Sequence, residues 1–140
     1  MPLGSIWQVA SVSWRDMDAT RIGVAKGVTP FAEHPAELPL TTPLEWPVAR
    51  LSTGANIVGG SDYDAIDADM VDMETFAVLR ACQRFGVPLI GLRGISDGAE
   101  ALRHYDDWTQ LLPELDAHLA AAVDDLAALL AEGWRPSTGG

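Results

Sequence analysis

Residues 71–100, VDMETFAVLRACQRFGVPLIGLRGISDGAE, decide the fold. A short strand from Asp69 to Met73 is expected to lead into a helix from about Glu74 to Phe85. Ala77, Val78, Ala81, Cys82 and Phe85 recur at spacings of three and four and give that helix one apolar face. Gly86 stands where a left-handed C-cap is expected, and Pro88 follows it. Residues 87–95, VPLIGLRGI, are nearly all apolar, as in a central strand buried on both faces, and they end abruptly in Ser96-Asp97-Gly98. The stretch 69–97 therefore reads as a βαβ unit. The expected class is α/β, a sheet with helices packed on it.

Outward from this unit, residues 3–14, LGSIWQVASVSW, read as a strand rich in β-branched and aromatic residues. Nothing precedes it that would supply a sheet neighbour. RDMDAT at 15–20 reads as a turn and residues 21–24 as a short strand. Between Gly27 and Pro47, prolines at 30, 35, 39, 43 and 47 exclude a regular helix, so a long loop of the functional or mobile kind is expected. VARLST at 48–53 reads as a strand, followed by a polar loop from Gly54 through SDYDAIDA. The last helix is expected from about Trp108 or Pro113 to Glu132. Leu115, Leu119, Val123, Leu126 and Leu130 form its buried stripe, and Gly133 ends it. Residues 1–134 form a single domain on this reading, and RPSTGG at 135–140 is a disordered tail.

The chain has 140 residues, 48% hydrophobic and 21% charged, an ordinary globular profile with room for one core. A net charge of −11 repels nucleic acid and anionic lipid and leaves a small, weakly charged or cationic ligand as the expected partner. No apolar run approaches the roughly 18 residues that span a membrane. Cys82, the single cysteine, reads as a small apolar residue in a helix. One cysteine and no export signal point to the cytoplasm. His34, His104 and His118 lack ligand spacing, so neither a metal nor another cofactor is expected. Asp106, Asp107, Asp124 and Asp125 read as solvated charge.

Ligands of open α/β sheets bind beyond the carboxyl ends of the strands, where two acidic clusters fall, Asp72-Met73-Glu74 and Ser96-Asp97. Carboxylates in such a place suit N-glycosidic cleavage. One acid protonates the departing base, and another holds the sugar hydroxyls as the ribose takes on oxocarbenium character. Each residue also has a plainer reading. Glu74 would complement a helix dipole, Asp97 would cap a turn, and Arg93, inside an apolar strand, would need an ion-pair partner as readily as a ligand.

The same stretch resembles the signature of methylthioadenosine/S-adenosylhomocysteine nucleosidases and related nucleoside phosphorylases: an acidic residue followed by Met-Glu, an Ala-rich helix, a Gly-x-Pro turn, an apolar strand, then Arg-x-Ile-Ser-Asp. RDMDATRIGVAKGVTPF at 15–31 is similar to a second stretch of the bacterial nucleosidases. The resemblance implies a three-layer α/β/α fold with a central mixed sheet, of which this chain holds the C-terminal part. It implies Asp97 as the general acid toward the purine N7, Glu74 on the ribose hydroxyls and Met73 against the sugar. Ser96 and Arg93 would support the site, with Asn56 and Ile57 near the base.

Ile57 stands where the family usually has an aromatic, and Ala55 where it often has an Asp. The family's N-terminal part, with several strands and a Glu that activates water, has no counterpart in the sequence. The activity implied is release of adenine from methylthioadenosine, S-adenosylhomocysteine or a similar nucleoside. The alternatives are phosphorolysis and a catalytically impaired fragment that binds a nucleoside or a partner subunit. Strands 3–14 and 87–95 are expected to lack sheet neighbours and to drive homo-oligomerisation or pairing with a complementary chain.

Overall fold

The computed structural model describes residues 1–98, 109 and 111–136. Trp108, His104, Asp106, Asp107, the motif's last residues Ala99 and Glu100, and tail residues 137–140 lie outside the described residues. Five strands form one mixed sheet: β1 (Ile6–Trp14), β2 (Glu37–Pro39), β3 (Val48–Thr53), β4 (Met70–Asp72) and β5 (Leu92–Gly94). Two helices lie among the described elements, α1 (Thr75–Arg84) and α2 (Leu112–Ala131), and Thr109 is also helical. The ladder runs β2-β1-β3-β4, with β5 also on β1. β1, β3 and β4 are parallel, whereas β2 and β5 pair antiparallel with β1.

β1 organises the molecule. Its register against β3 shifts between Val9 and Ser11. The extra residue changes which parity of side chain faces which side. Trp7 and Val9 before the shift, and Val12 and Trp14 after it, all join the core under α1 with Leu51, Met70, Phe76 and Leu79. Ile6 belongs to a second cluster, with Leu115 and Ala122 of α2 and the flanking Leu92 and Leu119. The sheet is thus covered by α1 on one face and α2 on the other, the three-layer α/β/α arrangement expected. Where β5 meets α2, a Cβ on Gly94 would come within 2.6 Å of the Leu115 Cδ2, so a side chain there would have to push that leucine aside.

Several expectations are corrected. β1 begins at Ile6 and is flanked on both sides, so the idea that this strand lacks neighbours does not hold. Residues 21–24 do not form a strand. Thr20–Ile22 is a 3-10 turn, because Gly23 closes it at φ 82 with its N–H on the Thr20 carbonyl. The long loop contains β2, whose short length suits a Pro-bearing edge strand.

The loop is also pinned. Gln8, fully buried, donates to the carbonyls of Leu44 and Trp46 at 2.8 Å each and accepts from the Leu44 N–H at 3.0 Å. Residues 87–95 are not a long buried strand. Only Leu92–Gly94 pairs, it is half-buried, and among the described residues its only ladder is with β1. β4 and β5 run in opposite senses and do not pair, so 69–97 is not a parallel crossover.

α1 buries a face other than the expected one, and α2 keeps its expected stripe only in part. In α1 the buried residues are Thr75, Phe76 and Leu79, while Val78 and Phe85 are 46% and 81% exposed. Phe76 stacks on Trp14 with ring centroids 5.5 Å apart, which turns the helix onto the sheet by that side. In α2, Leu115 of the expected stripe is buried beside Ala122 and Leu119 packs against them, whereas Val123 is 53% exposed. Gly86 (φ 66) and Gly133 (φ 97) end the helices in the left-handed conformation, as expected.

Candidate functional site

A pocket of about 210 Å³ lies where the segment after β5 meets β4 and the polar loop. Arg93, Gly94, Ile95, Ser96, Asp97 and Gly98 form one wall, Asp69, Met70 and Val71 another, and Tyr63 and Met1 complete the lining. Of the residues singled out in the sequence, Arg93, Ser96 and Asp97 meet here. Met73, Glu74, Asn56 and Ile57 are not among the lining residues, and Ile57 is 75% exposed.

Both oxygens of Asp97 are engaged. Ser96 Oγ donates to Oδ1 at 2.7 Å, and the Tyr63 hydroxyl donates to Oδ2 at 3.1 Å. Tyr63 arrives on a 3-10 turn, Gly60–Ala65. Burial first, then the charge of Asp97 and the hydrogen bond to it, pushes the Tyr63 phenol up to about 12. Tyr63 therefore remains a donor throughout the neutral range.

Next to the pocket, Asp72 forms a polar node at the end of β4. Its Oδ1 accepts from Thr53 Oγ1 at 2.6 Å. Its Oδ2 accepts from the Thr75 N–H at 3.0 Å, from the Thr75 hydroxyl, and from Arg93 Nη2 at 2.6 Å. Burial alone would raise the Asp72 carboxyl. The hydrogen bonds from Thr53 and Thr75 and the Arg93 charge outweigh it and hold the group below the usual carboxylate range.

Thr53 Oγ1 also accepts the Phe76 N–H at 3.0 Å, so Thr53 and Asp72 together satisfy the first free donors of α1. Glu74 makes no side-chain cap. Its side chain accepts from the Met73 N–H at 3.3 Å. The first helical donors beside Glu74 are taken by Asp72 and Thr53, and the ion pair considered for Arg93 is present.

A second node fixes the loop after β3. Arg15 donates to the carbonyls of Ser52, Asp72 and Asn56, while Asp16 Oδ2 accepts the Ala55 N–H at 2.6 Å. The guanidinium lies so close over Gly54 that a Cβ there would fall within 2.7 Å of Arg15 Cγ and nearer still to Nε and Cζ. Sequence reading singled out none of Arg15, Thr53, Thr75 or Tyr63. Tyr63, an aromatic alone in a run of acidic and small residues, carried the one visible signal. Among the described residues, no group of three or more His, Cys, Asp or Glu gathers to hold a metal, and no helix is long and apolar enough to cross a membrane.

Residues 49–132 match the family model described as the phosphorylase superfamily. The chain belongs to the phosphorylase superfamily. A curated relative, the 5′-methylthioadenosine/S-adenosylhomocysteine nucleosidase of Baumannia cicadellinicola subsp. Homalodisca coagulata, is 27% identical over 93% of this chain. Two proteins of known structure share the fold. A Borrelia burgdorferi B31 protein assigned as the same nucleosidase and bound to adenine superposes with a TM-score of 0.77 at 20% identity over 92% of the chain. The futalosine hydrolase of Helicobacter pylori strain 26695 gives 0.71 at 18% over 94%. The chain spans 64% of the length of the curated relative and 62% of each of these two structures.

Proposed function

We propose that this chain is a purine nucleosidase-like protein that acts in the cytoplasm without a cofactor and cleaves the N-glycosidic bond of adenine nucleosides such as methylthioadenosine or S-adenosylhomocysteine. One observation carries the reading: Asp97 stands on the wall of the pocket with both oxygens oriented by hydroxyl donors. In the protonated form Asp97 passes its proton to purine N7 as the C1′–N9 bond breaks and its electron pair moves into the base. Water then adds at C1′ and gives up a proton to solvent. Glu74 accepts hydrogen bonds from the ribose hydroxyls, and Met73 packs against the sugar. Asn56 and Ile57 flank the base, with Ser96 and Arg93 supporting the acid. The curated relative's activity is the comparison that favours this substrate class.

The test is chromatographic detection of free base from a panel of purine nucleosides, with and without phosphate. Release without phosphate is expected. Release that requires phosphate would replace hydrolysis with phosphorolysis. Asp97→Asn is expected to lower release by about 10²–10⁴-fold, and full activity in that variant would remove Asp97 from the chemistry.

A second reading, nucleoside binding without turnover, is favoured by the absence of Met73, Glu74, Asn56 and Ile57 from the lining of the Asp97 pocket. Calorimetric binding of a nucleoside by a chain that releases no base would support it. Association with a second copy or a complementary chain belongs to either reading, since Val78, Phe85 and Val87 leave an apolar surface at α1 exposed. Sedimentation velocity across a concentration series reads this directly, and a monomer throughout would refute self-association.

A further inference from the structure

We propose that Tyr63 is a positioning residue for Asp97, its hydroxyl fixing one carboxyl oxygen while Ser96 holds the other, so that the group keeps one orientation on the pocket wall. This deepens the nucleosidase reading and rests on it for its catalytic meaning. The contact is non-local: Tyr63 Oη donates to Asp97 Oδ2 at 3.1 Å across 34 residues of chain. Ser96, the other donor, is the adjacent residue and comes with the backbone of the motif, whereas Tyr63 is delivered by the polar loop. The loop thus determines whether Asp97 is held by one donor or by two.

A donor to a carboxylate favours the charged form. Tyr63 therefore fixes the orientation of Asp97, and its removal takes one donor away from the charged form. Other charged groups face the same space: Asp69 and Arg93 line the pocket with Asp97, as does Met1, and the charge of Arg15 is felt at Tyr63. None of these is a donor to Oδ2. The phenol itself, pushed up to about 12 by burial and then by Asp97, stays protonated throughout the neutral range.

The experiment is a ¹³C carboxyl NMR titration of the full chain, with the Asp97 resonance assigned by its loss in Asp97→Asn. Tyr63→Phe removes the hydroxyl and keeps the ring. Its expected effect is an upward move of the Asp97 midpoint by roughly half to one pH unit, the scale of one exposed-side hydrogen bond to a charged group. The alkaline limb of kcat/KM for base release moves the same way, because a general acid acts only while protonated. A change in packing without loss of the donor would leave both midpoints in place.

An unchanged Asp97 midpoint in folded Tyr63→Phe overturns the proposal. If that variant does not fold, Tyr63→Gln, which keeps an N–H donor, is titrated beside Tyr63→Leu, and equal Asp97 midpoints overturn it equally. The two readings fail separately. A shifted midpoint with an active Asp97→Asn removes the acid but keeps the contact. An unshifted midpoint with an inactive Asp97→Asn keeps the acid and removes Tyr63.

Discussion

Arg93 on β5 reaches Asp72 at the end of β4, Nη2 to Oδ2 at 2.6 Å, although the two strands do not pair. The ion pair is lopsided, with the Asp72 side chain 9% exposed and the Arg93 side chain 38% exposed. Removing the arginine leaves a sheltered carboxylate with hydroxyl and amide donors but no counter-charge. Arg93→Met is expected to cost about 1–2 kcal/mol in urea unfolding, below the figure for a fully buried pair because solvent screens one end.

The pH dependence has a defined sign. Asp72 is held below its usual range, so its contribution is complete above the unfolded-state value of about 3.9 and is lost as pH falls through the folded value. Without Arg93 the folded value rises toward the unfolded one. Acid unfolding followed by circular dichroism should therefore begin at higher pH in Arg93→Met than in the parent, and superimposable acid limbs would contradict this.

Arg15 and Gly54 form a second coupled pair, one side chain fitting only because the other is missing. A methyl at position 54 meets the guanidinium and must dislodge it from the carbonyls of Ser52, Asp72 and Asn56. Gly54→Ala is expected to destabilise by about 1–3 kcal/mol, the usual cost of overpacking. On an Arg15→Ala background the same substitution should cost only a few tenths, because the obstacle is gone. Additive costs in this double-mutant cycle would mean that the close approach carries no energy.

The sequence marked the strand and helix cores wherever the signal was local. VARLST became β3 with the bounds expected, Gly86 and Gly133 ended the helices, and the DMET and RGISD stretches fell beside one another in space. What it could not supply was set by pairing. Residues 87–95 are apolar enough for a central strand, but burial on two faces requires strands on both sides, and β5 has β1 alone among the described residues. The α1 sequence offers two apolar faces, and Trp14, 62 residues away in chain order from Phe76, selects between them. Asp72 looked like part of a catalytic cluster because hydrogen bonds from Thr53, Thr75 and Arg93 leave no trace in spacing. Tyr63 reaches Asp97 through a loop that has no periodicity at all.

Gln8 provides a test of the pinned loop. Its amide makes three hydrogen bonds to the Leu44 and Trp46 backbone from a position with no exposure, so the loop between β2 and β3 is fastened to the strand in the middle of the sheet. Gln8→Leu keeps the volume approximately and strands those backbone groups. The expected loss is about 1–3 kcal/mol in global stability. Amide exchange at Leu44, the donor to Gln8, should accelerate more than exchange in α2. A uniform change across the molecule would mean that the side chain supports the core generally instead of holding the loop.

Glu74 separates a structural role from a ligand-binding one. It sits at the start of α1 with no side-chain cap, and the first helical donors are taken by Asp72 and Thr53. Replacing it should therefore cost little in the empty protein, within about 0.5 kcal/mol for Glu74→Ala in thermal or urea unfolding. If Glu74 accepts hydrogen bonds from the ribose hydroxyls, the same variant should bind nucleoside about 10–100-fold more weakly, the scale of hydrogen bonds to a charged group. Binding of free adenine, which has no ribose, should be unaffected. Calorimetry with the nucleoside and with adenine on one preparation reads both quantities. A variant that loses stability and binds both ligands equally weakly would return Glu74 to the helix start as a purely structural residue.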